Sequence, residues 1–132
     1  MTDSESKFKN YLNKEAKGLN YYSIKVPDFK ATGNRSTSGL PDYLCIIDGL
    51  TLWFEVKMVH SKKGFNLDEI RESQWITFNK MRKAGADIFL AIYLNKKSLY
   101  IVPFDKLSKV NNLLVGKKRV VEKEILECWR LN

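Results

Sequence analysis

Two cysteines, one histidine and three prolines in 132 residues exclude several chemistries at once. Cys45 and Cys128 are isolated, so the chain has no zinc-ligand spacing and no disulfide framework. That cysteine usage fits a reducing, cytoplasmic compartment, or a host cell's cytoplasm for a phage-encoded chain. His60 is the lone histidine, and an isolated surface histidine is usually inert, so it is not assigned as a general base. No apolar run approaches the length of a membrane span. The first twenty residues are polar and of mixed charge, unlike a signal peptide. Internal repeats and low-complexity tracts are missing. Acidic residues are the minority, 15 against 23 Lys and Arg, for a net charge of +8 and a pI near 9.5.

What is there is an ordinary globular composition, 44% hydrophobic and 29% charged. At this length the expectation is a single domain spanning residues 1–132 with its own core. The excess lysines, at 62–63, 80–83, 96–97 and 117–119, favour a polyanionic partner, most simply nucleic acid. Solubility is the plainer reading of the same charge.

Periodicity and breakers give an element order. Ser4 is placed to cap a first helix over 4–17, with Phe8, Leu12 and Ala16 on one face and Tyr11 beside them. Tyr21–Val26 reads as a strand stopped by Pro27, and 30–41 as a loop. Tyr43–Ile47 and Leu52–Met58 are strands joined by the Asp48-Gly49 hairpin signal. His60–Asn66 reads as a polar loop, and Asp68–Lys83 as a second helix ending near Gly85. Strands are expected at Ile88–Leu94 and Leu99–Val102, a helix at Phe104–Leu114, and a short helix around Ile125, Leu126 and Trp129. The order α-β-β-β-α-β-β-α describes an α/β sandwich, a mixed sheet with helices packed against it.

The chemistry-bearing pattern is Pro41-Asp42, then Trp53-Phe54-Glu55-Val56-Lys57 on the return strand of the hairpin. Alternation puts Leu52, Phe54, Val56 and Met58 on a core face and Trp53, Glu55 and Lys57 on the other. The hairpin brings Asp42 beside Glu55. Two carboxylates suit a hard cation such as Mg²⁺, with Mn²⁺ as a substitute. Such a cation polarises a phosphate and acidifies a water, and Lys57 orients that water or neutralises developing charge. Glu-X-Lys on one strand face also occurs as a plain solvated ion pair, and Asp after Pro as a plain turn. In the second helix Gln74 shares a stripe with Ile70, Phe78 and Met81. A buried glutamine there needs partners, either at the site or in the backbone.

Asp42 with Glu55-Val56-Lys57 resembles the PD-(D/E)XK nuclease signature, with Pro41-Asp42 as its first two letters. Ile24-Lys25-Val26-Pro27, Phe54-Glu55-Val56-Lys57, Phe65 to Ile70 with Gln74, Ala86 to Tyr93 and Tyr100 to Pro103 resemble Holliday-junction resolvases of the RecU type. Arg35, Ser38-Gly39 and Pro41-Asp42 also resemble the archaeal Hjc resolvases. The resemblance spans roughly residues 5–107. It implies a restriction-endonuclease-like fold, a mixed central sheet flanked by helices. It implies metal binding by Asp42, Glu55 and the Val56 carbonyl, and catalytic roles for Lys57 and Gln74. It also implies an acidic residue from the first helix, Glu5, with Glu15 the competitor. RecU proteins carry an insertion that projects into the junction, whereas here the segment from Pro27 to Asp42 is short.

The function expected is therefore a metal-dependent, structure-specific endodeoxyribonuclease, a Holliday-junction resolvase. Two symmetric cuts imply a homodimer, with Ile88–Leu94 and the last helix as candidate faces. Lys30, Arg35 and Ser38, before Asp42, and Lys62 and Lys63, after the catalytic strand, are candidates for phosphate contacts. Alternatives are another PD-(D/E)XK nuclease of restriction or repair type, or a non-catalytic DNA-binding module on the same fold. A protein–protein adaptor is least supported. No membrane partner is expected.

Overall fold

The computed structural model describes residues 2–27, 39–60, 65–66, 69–105, 107 and 119–120. In chain order the elements are Asp3–Glu15 (α1), Tyr21–Lys25 (β1), Tyr43–Ile47 (β2), Leu50–Val59 (β3), Phe65–Asn66 (β4), Glu72–Lys83 (α2), Asp87–Leu94 (β5), Ser98–Pro103 (β6) and Arg119–Val120 (β7). Five strands form a mixed sheet in the order β1-β2-β3-β5-β6. Its one parallel pair is β3 with β5, joined through α2, and its other neighbours run antiparallel.

A strand in the middle of such a sheet has helices over both faces. On one face α1 contributes Phe8 and Leu12 to a core with Tyr43, Cys45, Phe54, Ala91 and Ile101. On the other, Ile70 and Phe78 pack with Ile88, Leu90, Ile92, Val102, Phe104 and Leu107. This corrects the one-sided reading of β3. Trp53 packs into the second core and Glu55 is buried, whereas Met58, expected inside, is exposed. The parallel neighbour β5 and the crossover helix close the face that alternation alone left open. It also removes Ile88–Leu94 as a dimer face, because Ile88, Leu90, Ala91, Ile92 and Leu94 are all buried within the sheet.

Local chemistry sets the ends. Thr2, not Ser4, caps α1: its hydroxyl accepts from Glu5 N at 3.2 Å, and Glu5 Oε2 accepts from Thr2 N at 3.2 Å. This capping box starts the helix one residue earlier than expected, and Ser4 is buried in its first turn. The helix stops at Glu15, short of 17. Asp48 and Gly49 take φ of 46° and 84°, the two positive angles of a tight hairpin turn. Helix α2 starts at Glu72 rather than Asp68, because Arg71 is extended and its amide is taken by the Gln74 side chain at 3.0 Å. The expected loop 60–66 ends in β4, whose two residues pair with β7 through Phe65–Val120 and Asn66–Arg119. A two-residue ladder leaves no alternation to read in sequence. Helical backbone begins at Phe104 as expected. The remainder of that helix beyond Leu107, and the short helix around Ile125, lie outside the described residues.

Gly39 fixes the approach to Asp42. Its φ is +88°, and a Cβ there would sit 2.6 Å from the Ser73 carbonyl oxygen of α2 and 3.0 Å from Thr77 Oγ1. Gly39→Ala is expected to destabilise the fold by about 2 kcal/mol or more, read by urea unfolding. Gly49→Ala, where no atom lies within 4 Å, should cost only the strain of its turn.

Candidate active site

The site lies where β2 begins, where β3 passes beside it, and where α2 crosses above. Tyr43 pairs with Phe54, which sets Asp42 across from Glu55. The Asp42 carbonyl accepts from Val26 N at 2.7 Å, and its carboxylate Oδ2 accepts from Val56 N at 3.0 Å. The aspartate is thus clamped between the two neighbouring strands.

Glu55 is 4% exposed and Gln74 2% exposed. Gln74 Nε2 donates to Glu55 Oε2 at 2.7 Å, and Lys57 Nζ donates to Gln74 Oε1 at 3.1 Å. Lys57 Nζ also stands 3.2 Å from Glu55 Oε2. Gln74 therefore joins the carboxylate and the ammonium from above, with its own orientation fixed by the Arg71 amide. The other carboxylate oxygen, Glu55 Oε1, is buried and meets no hydrogen-bond donor among the described residues, while the Glu55 and Asp42 carboxyls are close enough to share a hydrogen bond when one is protonated.

The electrostatics follow from this burial. Glu55 is pushed up to about 7, first by desolvation and then by the neighbouring Asp42 carboxylate; Lys57 and Gln74 pull the other way. Asp42 is also raised, chiefly by burial, against the opposing Val56 amide. Glu5, in contrast, is held below the usual carboxylate range, first by its hydrogen bond from Lys25.

The structure brings Asp42, Glu55, Val56, Lys57 and Gln74 together. Glu5 stands apart: its Oε1 pairs with Lys25 Nζ at 2.8 Å, and its charge raises the Asp42 carboxyl. Among the described residues no three acidic, histidine or cysteine side chains are close enough to form a metal cluster by themselves. The side chain of Glu15 lies outside the described residues, as do Lys30, Arg35, Ser38, Lys62 and Lys63. Sequence reasoning missed Lys25 as a neighbour of the site. Only the β1–β2 register, which sets it opposite Tyr43, reveals it.

An acid at the head of one strand and Glu-X-Lys on the next, in a mixed sheet with helices on both faces, define a nuclease of the PD-(D/E)XK class. The family model for RecU, recombination protein U, matches residues 6–130, and the chain belongs to that family of Holliday-junction resolvases. Among solved structures, Hjc from Archaeoglobus fulgidus, a Holliday junction resolvase from an archaeal hyperthermophile, is 27% identical. The match covers 76% of each chain at a TM-score of 0.44. No curated protein matches the chain significantly. No helix among the described residues is long and apolar enough to cross a membrane.

The buried carboxyl has a thermodynamic consequence. A folded-state value raised from 4.5 to about 7 stabilises the protein below pH 4.5, and this contribution is lost as pH rises through about 7. Without metal, Glu55→Gln should therefore raise the melting temperature at pH 8, by about 5 °C, and the gain should shrink toward pH 5. Thermal unfolding in EDTA across that range measures it.

Proposed function

We propose that the chain resolves four-way DNA junctions by hydrolysing phosphodiesters at Asp42, Glu55 and Lys57 with a bound divalent cation, Mg²⁺ with Mn²⁺ as substitute. The observation that carries this reading is Glu55 Oε1: a buried carboxylate oxygen that meets no donor among the described residues, beside a second carboxylate. An orphaned buried acceptor costs free energy unless something meets it. In a basic protein whose partner is a polyanion, a cation reconciles two acidic groups with a phosphate. The donor set fits a hard ion: Asp42, Glu55 and the Val56 carbonyl all offer oxygen. Bound there, such an ion supplies charge that polarises a phosphate oxygen and acidifies a water.

The chain's own groups do the rest. Lys57 Nζ, held by Gln74 Oε1, is placed to orient the attacking water and to offset charge developing on the phosphate. Gln74 braces the Glu55–Lys57 ion pair, donating to the carboxylate and accepting from the ammonium. Asp42 is fixed by the Val56 amide, so its geometry is set before substrate arrives. Glu5 contributes a further carboxylate from α1. Lys30, Arg35, Ser38, Lys62 and Lys63 flank the site in sequence and contact backbone phosphates, positioning the duplex without reading bases. Two symmetric cuts call for a homodimer, and the setting is cytoplasmic.

With Mg²⁺ the protein should place paired, symmetric nicks in a labelled four-way junction and leave matched linear duplex largely intact, with no cutting in EDTA. Asp42→Asn should reduce the rate on the order of a thousandfold. Equal cutting of both substrates would indicate a nuclease of other selectivity. Tight binding without cutting in either Mg²⁺ or Mn²⁺ would sink the catalytic reading in favour of a binding module.

A further inference from the structure

Lys25 ends β1, the outer strand of the sheet, and stands across from Tyr43, the residue after Asp42. The next residue, Val26, donates its amide to the Asp42 carbonyl. Lys25 is thus tied by backbone to the same strand end that carries the catalytic aspartate. Its ammonium is given to Glu5 at 2.8 Å.

The two partners are unequally placed. The Glu5 side chain is 13% exposed and the Lys25 side chain 60%. Glu5 has both oxygens engaged, Oε2 by the Thr2 amide and Oε1 by Lys25. The acid is therefore anchored at the helix start, while the lysine approaches from solvent on a flexible stem. Both are within electrostatic reach of Asp42: Glu5 raises the Asp42 carboxyl, and Asp42 raises the Lys25 ammonium. An exposed pair of this kind is weak and easily exchanged. A phosphate offers the same ammonium a stronger charge-assisted partner.

We infer that Lys25 is a phosphate-binding residue of the active site, held in reserve by Glu5. A DNA phosphate arriving at Asp42 takes the Lys25 ammonium, and the exchange releases Glu5 Oε1 within electrostatic reach of Asp42. Substrate binding and the availability of the α1 carboxylate are thereby linked through one side chain. The arrangement accounts for why Glu5, close enough to influence Asp42, stands outside the Asp42–Glu55–Lys57–Gln74 cluster here. The inference rests on the reading of this site as the place where the phosphodiester is bound, but it does not depend on cleavage.

The test is junction binding in EDTA over a range of salt concentrations, for wild type, Lys25→Met, Lys25→Arg, Glu5→Gln and the Lys25→Met/Glu5→Gln double variant. Lys25→Met should weaken binding about fivefold and make the log–log salt dependence shallower by about one unit, with Lys25→Arg close to wild type. Glu5→Gln keeps a capping-box residue, so α1 should persist. It frees the ammonium and should tighten metal-free binding severalfold. That gain should disappear when Lys25 is also Met, as a double-mutant cycle requires. An unchanged salt slope in Lys25→Met, or an equal gain from Glu5→Gln with and without Lys25, would overturn the inference, since a merely structural ion pair moves the melting temperature alone. Cleavage in Mg²⁺ is scored separately. Failure of wild type to cut would count against the catalytic reading, while the binding cycle would still decide the role of Lys25.

Discussion

A carboxylate buried on a central strand is the constraint that organises this protein. Glu55 sits on β3 with helices over both faces of the sheet, and burial raises its carboxyl to about 7. Charged groups in such places are costly unless they are paired and hydrogen-bonded. Here the pairing is deliberately incomplete. Lys57 and Gln74 share one oxygen, and the other meets no donor among the described residues. The fold carries a local instability at one point and compensates for it with two apolar cores on either side.

The rest of the architecture places groups around that point. The parallel β3–β5 pair requires a crossover, and the crossover helix is α2, which brings Gln74 over Glu55. The antiparallel β2–β3 hairpin brings Asp42 alongside, and Gly39 presses the preceding chain against the α2 backbone. The hairpin and the crossover helix are thus tied to each other within a few residues of the site. The polar network rests on rigid strands and a helix rather than on loops, which suits groups that must be held in position before substrate binds.

The sequence disclosed much of this where its signals are local. The Asp48-Gly49 turn, the β2 boundaries and the α1 stripe of Phe8, Leu12 and Ala16 follow from alternation, turn chemistry and helical spacing. The Asp42 and Glu55-Val56-Lys57 pattern was legible because a hairpin converts sequence spacing into proximity. What was hidden depends on tertiary neighbours. Whether the Trp53–Glu55–Lys57 face meets water or a helix is decided by β5 and α2, not by β3 itself. Gln74 stood out as a polar residue on an apolar stripe, but its partners at Glu55 and Lys57 appear only when α2 is set on the sheet. The Thr2 cap displaced Ser4 because both residue types fit a cap and only the capping-box geometry chooses between them. Lys25 showed only as part of the resolvase-like segment 24–27 and carried no role there, since its place near Asp42 comes from the β1–β2 register. The β4–β7 ladder is too short to leave a pattern.

The measurement that tests the central claim most directly is calorimetric titration of the DNA-free protein with Mn²⁺ near pH 6.5, in two buffers of different ionisation heat, for wild type and Glu55→Gln. If Glu55 is a cation ligand whose carboxyl is raised to about 7, wild type takes up the ion and releases a proton from that group, so the apparent heats differ between buffers. Glu55→Gln then loses both the binding and the proton release. Mn²⁺ binding of equal strength in the two proteins, or uptake by wild type without any proton release, would contradict the account.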